Sequence, residues 1–157
     1  MNPFENPKAR VSAVLMAGLV AAYHVQAKAS GSPQDAVKAT TVSGRVYNPD
    51  QAKRGQTKYS QVCSNCHLSD LSGSDQAPSL AGGEFLDRWE GQSVGDLADR
   101  IRTSMPQDDI GSLNTQMSVD IVAYLLQANN FPAGQEELKA DRSFLKTVMI
   151  TKKGAQD

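Results

Sequence analysis

Cysteine and histidine are both scarce, with only two of each in 157 residues. Two thiols, Cys63 and Cys66, allow at most one disulfide. They sit two residues apart, so that bridge would close a loop too small to constrain the unfolded chain. With His67 they make three donors, one short of the four a structural zinc site takes. A thioredoxin-like redox pair would follow a strand inside a βαβ pattern, and none surrounds these cysteines. Aromatic residues are only 6% of the chain, so a core of side chains alone would be small. Lysine is missing altogether between residues 68 and 130, where three arginines face ten acids. The apolar run over residues 11–22 is too short to span a bilayer comfortably. No cysteine follows it closely, which excludes lipid anchoring there.

What is present begins with that run. Lys8 and Arg10 precede it and Ala27-Lys28-Ala29 follows, the three parts of a secretory signal peptide, residues 1–29. Cleavage removes Lys8, Arg10, Lys28 and Glu5 and takes the formal charge from −1 to −3. The expected location is the periplasm, with no stable membrane insertion after cleavage. Residues 30–48 read as a polar linker and lead-in, with a short extended stretch over 42–49 and a turn at Asn48-Pro49.

Cys63-Ser64-Asn65-Cys66-His67 is a C-x-x-C-H run, the spacing of c-type haem attachment. Each thiol can add across one vinyl group, and the histidine directly after the second thiol is placed to ligate iron. Export agrees, because c-type haem is attached outside the cytoplasm in bacteria. The residues before the motif favour helix from Asp50, a plausible cap, to Val62. Gly55 and Tyr59 share one face of it, and the glycine suggests a close helix crossing. Residues 68–77 are loop. The following Ala77-Pro78-Ser79-Leu80 offers either a carbonyl for the second His67 nitrogen or an ordinary turn proline. A short helix from Gly82 to Trp89 puts Phe85 and Trp89 four apart, as core and as haem contacts alike. Ser93 with Asp96 reads as a capping box, and the next helix stops before Met105-Pro106.

Met105 is the expected second iron ligand by elimination. His24 leaves with the signal, so histidine on both sides is excluded. Of the remaining methionines, Met117 opens a helix and Met149 lies in the tail. The apolar helix containing Val119, Ile121, Val122, Tyr124, Leu125 and Leu126 is expected to end near Asn129-Asn130 and to pack on the helix leading to Cys63. In the tail, residues 135–157, Phe144, Leu145, Val148 and Met149 are spaced to share a helical face. A β reading of 147–151 competes. The tail is expected to cover the core, with a partner-binding strip as the alternative.

These pieces together resemble class I cytochromes c over residues 49–134: the Gly55–Tyr59 helix, C-S-N-C-H, A-P-S-L, the G-x-x-F-x-x-x-W run, S-M-P and the closing amphipathic helix. The resemblance implies a small all-α fold of about four to five helices around one covalent haem c. It implies thioethers at Cys63 and Cys66, His67 and Met105 on the iron, and the Pro78 carbonyl orienting His67. The pattern is similar to bacterial periplasmic cytochromes associated with quinoprotein dehydrogenases. The function implied is single-electron transfer between redox proteins, from a dehydrogenase donor to an oxidase or reductase acceptor. Neither an enzyme nor a nucleic-acid binder is expected. Two alternatives stand beside it: a haem sensor or weak peroxidase with a labile Met105, and a non-catalytic cytochrome subunit of a dehydrogenase complex, docked through its tail.

Overall fold

The computed structural model describes residues 41–152. These form six α-helices, and the only β pairing among them is a few isolated bridges. The signal sequence and most of the linker lie outside the described residues. The helices are α1 (Pro49–Val62), α2 (Ser64–His67), α3 (Gly82–Trp89), α4 (Val94–Ser104), α5 (Thr115–Ala128) and α6 (Arg142–Leu145). The number exceeds the expected four to five because α2 and α6 are single turns of four residues.

α1 starts earlier than its composition suggests. Asn48, not Asp50, is the cap: its Oδ1 accepts the Gln51 N–H at 2.9 Å. Pro49 is thus no turn residue but the first helical one, where its missing N–H is harmless and its fixed φ suits the helix. Asp50 keeps a place in the first turn, where a carboxylate complements the helix dipole. The lead-in is not extended throughout either. It forms a single 3-10 turn, Val42–Gly44, and Arg45 follows in the left-handed region at φ 58°.

α4 follows its local signals closely. The Ser93 hydroxyl accepts the Asp96 N–H, and the Asp96 carboxylate accepts the Ser93 N–H at 3.0 Å. The helix ends at Met105, whose N–H reaches the Ile101 carbonyl at 3.0 Å, with Pro106 next in the chain.

α5 is the central element. Every residue from Ser118 to Leu126 is buried, so this helix is enclosed on all sides rather than along one stripe. It packs on α1 and, less extensively, on α4. The crossing with α1 is at Gly55. A Cβ there would fall 1.8 Å from the Asp120 carbonyl oxygen and 2.5 Å from its carbon. Asp120 is itself buried and needs partners. Arg54 supplies two hydrogen bonds, at 3.1 and 3.2 Å, and Gln116 a third at 2.8 Å.

The tail closes the core, as expected, but not as one helical face. Gly134 N–H donates to the Tyr47 carbonyl at 2.6 Å, and the Tyr47 hydroxyl donates to the Phe131 carbonyl at 2.7 Å. The buried Gln51 amide bonds Leu138 twice, giving to its carbonyl at 3.0 Å and accepting its N–H at 2.7 Å. The helix then stops at Leu145, and the chain continues extended. Val148 and Ile150 point inward with period two. Val94 N–H donates to Val148 and Ile150 N–H to Gln92, at 2.8 and 2.9 Å. Val42 N–H donates to Met149 at 3.0 Å, so the tail ties the lead-in to the start of α4.

Candidate cofactor site

α1 runs into Cys63, whose N–H donates to the Tyr59 carbonyl at 2.8 Å. The Cys63 carbonyl then accepts from both Cys66 and His67, at 3.2 and 3.0 Å. That single turn places Cys63, Cys66 and His67 at helical spacings of three and four, on one side of the chain. Both cysteines are free thiols, Cys63 half-buried and Cys66 exposed. Burial pushes the Cys63 thiol up to about 11, with Cys66 adding to the effect. Neither sulfur is in a disulfide, so both are available for bonding.

His67 is buried at 8% exposure, and its Nδ1 lies 2.8 Å from the Pro78 carbonyl oxygen. A carbonyl can only accept, so Nδ1 carries the hydrogen. With the hydrogen on Nδ1, Nε2 is the nitrogen left to donate a lone pair to a metal. Between the two readings of Pro78, the geometry favours the carbonyl that holds the imidazole.

The loop delivering that carbonyl is fastened at several points. The Tyr59 hydroxyl donates to the Leu68 carbonyl at 2.6 Å, and burial raises this phenol's pKa well above its ordinary value. Gly73 N–H donates to the His67 carbonyl at 3.1 Å. At φ +77°, a Cβ on Gly73 would fall 2.6 Å from the Pro78 carbonyl carbon, so only glycine lets the two strands of the loop touch. Leu80 N–H donates to Leu71 at 2.8 Å, and the Ser79 hydroxyl lies 2.7 Å from the Ala81 carbonyl and 3.1 Å from that of Leu71. From the far side, Asn129 bonds Leu80 and Gly82. Sequence reasoning missed Tyr59's hydroxyl, Gly73, Ser79 and Asn129 as contributors. Asn129 reaches residues 47 and 49 positions away, the others bond nearby residues across an irregular loop with no repeating period, and only the glycine within a polar loop carried any local signal.

The other expected residues are placed as follows. Phe85 is completely enclosed by protein, and its ring stands 6.4 Å from that of the partly buried Trp89. Phe85 is thus a core residue on protein contacts alone. Met105 is partly buried at the end of α4. Met117 packs against the core from the first turn of α5, and Met149 is partly buried in the tail. The structure therefore brings Cys63, Cys66, His67 and Pro78 together, and separately Phe85 with Trp89. No hydrogen bond or ring contact ties Met105 to either group among the described residues.

The donor chemistry suits haem. Two free thiols stand beside an imidazole with one fixed nitrogen and one available nitrogen. Among the described residues no group of three or more His, Cys, Asp or Glu gathers to hold a bare metal ion. The site fits a cofactor that brings its own ring of nitrogens and asks the protein only for covalent anchors and axial donors.

Residues 50–125 match the family model for cytochrome C oxidase, cbb3-type, subunit III. Over this stretch the chain is similar to a family of c-type cytochrome domains, which bind haem c covalently and transfer electrons through it, and its small all-α fold agrees. In solved structures, the chain is similar to one in the crystal structure of the sulfane dehydrogenase SoxCD from Paracoccus pantotrophus. The identity is 18% and the TM-score 0.45, with 80% of this chain and 68% of that chain covered. Comparison with curated proteins finds no match.

Proposed function

We propose that this protein is an exported carrier of single electrons, with Cys63 and Cys66 holding haem c by thioethers and His67 and Met105 as the axial donors. When bound, the haem supplies an iron that cycles between ferrous and ferric states. The chain's own residues do the rest. Cys63 and Cys66 would fix the ring to α1 and α2, the Pro78 carbonyl holds the His67 Nδ1–H and leaves Nε2 to bind the metal, and Met105 would contribute a soft thioether that favours ferrous iron. The partly buried Trp89 gives the ring an apolar wall, with the enclosed Phe85 packed behind it. Residues 1–29 direct export to the periplasm, 30–48 form the linker and lead-in, 49–134 the haem domain and 135–157 its cover.

The single observation that carries this reading is the 2.8 Å contact between His67 Nδ1 and Pro78 O, which leaves the buried imidazole one free nitrogen beside two free thiols. With His67 and Met105 both bound, the iron would have no vacant position, which favours transfer between proteins over chemistry on a substrate. The partners are a dehydrogenase donor and an oxidase or reductase acceptor. Leu138, Leu145, Val148 and Ile150 are buried in this chain's own core, which favours a free shuttle over a subunit docked through its tail.

Ferric spectra of the mature holoprotein test the reading. Low-spin iron with a sulfur charge-transfer band, lost in Met105→Ala but retained in Met117→Ala, is expected. High-spin iron that binds carbon monoxide or peroxide readily would replace the carrier with a sensor or weak peroxidase.

A further inference from the structure

Asn129 caps the C-terminus of α5, and it is 3% exposed. Both N–H groups and the oxygen of its side-chain amide are engaged. Nδ2 donates to the carbonyls of Leu80 at 3.0 Å and Leu125 at 2.8 Å, while Oδ1 accepts the Gly82 N–H at 2.9 Å. The orientation of the amide is fixed by its partners, since two carbonyls need donors and one N–H needs an acceptor. The bridge crosses 47 residues of sequence to Gly82 and 49 to Leu80. At one end is α5, the most enclosed helix. At the other is the backbone that begins at Pro78, with only Ser79 between Pro78 and Leu80.

We propose that Asn129 is a positioning residue for the iron: by locking the Leu80 and Gly82 backbone to α5, it keeps the Pro78 carbonyl on His67 and so sets how strongly His67 donates to the metal. This rests on His67 being an axial ligand. The reasoning is geometric. Pro78 itself is exposed, so the surroundings of its side chain do not hold its carbonyl in place. The loop is held from behind by Gly73, from within by the Ser79 hydroxyl, and downstream by Asn129. A histidine whose ring N–H meets a well-placed carbonyl is the stronger metal donor. Stronger donation favours ferric iron, so loosening the carbonyl favours ferrous.

The test uses the mature holoprotein with Asn129→Ala. Gln51→Ala is the control, since Gln51 is also buried and also clamps distant backbone, but at Leu138. A merely structural role lowers stability in both variants and leaves the iron alone. The proposal expects Asn129→Ala to shift the ferric–ferrous equilibrium at least threefold toward ferrous, about 28 mV at 59 mV per tenfold for one electron. It also expects the His67 ring N–H to exchange with solvent at least tenfold faster. Gln51→Ala should move neither. Wild-type values in Asn129→Ala, or equal shifts in both variants, overturn the proposal. Should Asn129→Ala fail to accumulate, Ser79→Ala removes another tether of the same loop and must shift both readouts in the same direction; no shift there overturns it as well. Wild-type protein without covalent haem, or without a histidine-ligated iron, sinks the ligation reading and this inference with it. A flat Asn129 response on covalent, low-spin haem sinks this inference alone.

Discussion

Gly55→Ala sets two effects of known size against each other. Alanine in a helix interior is favoured over glycine by about 1 kcal/mol, so on helix propensity alone the variant is more stable. The crossing opposes it. The new carbon would lie 1.8 Å from the Asp120 carbonyl oxygen, 2.5 Å from its carbon and 3.0 Å from the Ile121 nitrogen. All three are backbone atoms of the central helix, so no side chain can swing away. To restore ordinary contact, α1 and α5 must part by roughly 1.5 Å along their main interface. Overpacking of this kind costs about 1–3 kcal/mol, more where backbone must move. The clash is backbone on backbone, so the upper end applies and the net loss is about 2 kcal/mol. That corresponds to a melting temperature roughly 10 °C lower for a domain of this size. Thermal unfolding of the mature holoprotein, followed by far-UV circular dichroism, measures it. A variant as stable as wild type, or more stable, would show that propensity wins and that the helices do not meet backbone to backbone.

Further outcomes follow from the same structure. Removing residues 135–157 strips Leu138, Leu145, Val148 and Ile150 from the core; at about 1.5–3 kcal/mol each this rivals the whole stability of an ordinary domain, so the truncated chain should show no cooperative melt. The Asp96 carboxyl is held down to about 2, first by Lys146 and then by Ser93. A depressed folded pKa stabilises above the ordinary value near 3.8 and ceases to do so as pH falls through about 2. The stability advantage of wild type over Asp96→Asn should therefore be constant near neutrality and shrink below about pH 3.8, as read from melts across pH; an unchanged gap at about pH 2 would contradict it. In haem-free protein at about pH 8, an alkylating agent should label exposed Cys66 several-fold faster than Cys63, whose thiol is pushed up by burial; equal labelling by peptide mass mapping would refute that ordering. Asp70, Asp75, Asp108 and Asp109 have no ion-pair partner among the described residues, so electron transfer to a basic redox partner should slow as salt rises, and transfer to an acidic partner that slowed in the same way would contradict it.

Features written in neighbouring residues were legible in the sequence. The Ser93–Asp96 box, the stop at Met105-Pro106 and the C-x-x-C-H turn each depend on residues a few positions apart, and each appears as expected. The Gly55 crossing was legible too, because a glycine in an otherwise good helix asks for a close neighbour. Asn48-Pro49 misled because the same dipeptide serves a turn or a helix start, and only the reach of Asn48 to Gln51 decides between them. The tail's course was legible only in part: the β reading of 147–151 matches its extended end, but the partners that fix it, Val42, Gln92 and Val94, lie some 50 to 110 residues away and no local period names them. Asn129 looked like a helix terminator and is one. Its second task, on the backbone after Pro78, exists only once α5 lies beside that loop.

The central claim is that Cys63 and Cys66 bind haem covalently, and acid–acetone extraction followed by a pyridine haemochrome assay of the protein residue tests it most directly. The account predicts that the pigment stays with the mature polypeptide and shows the spectrum of two saturated side arms. It further predicts that Cys63→Ala and Cys66→Ala each shift that spectrum to one unsaturated arm, and that the double variant releases the pigment into the solvent. Haem that washes free from the wild-type chain would contradict it.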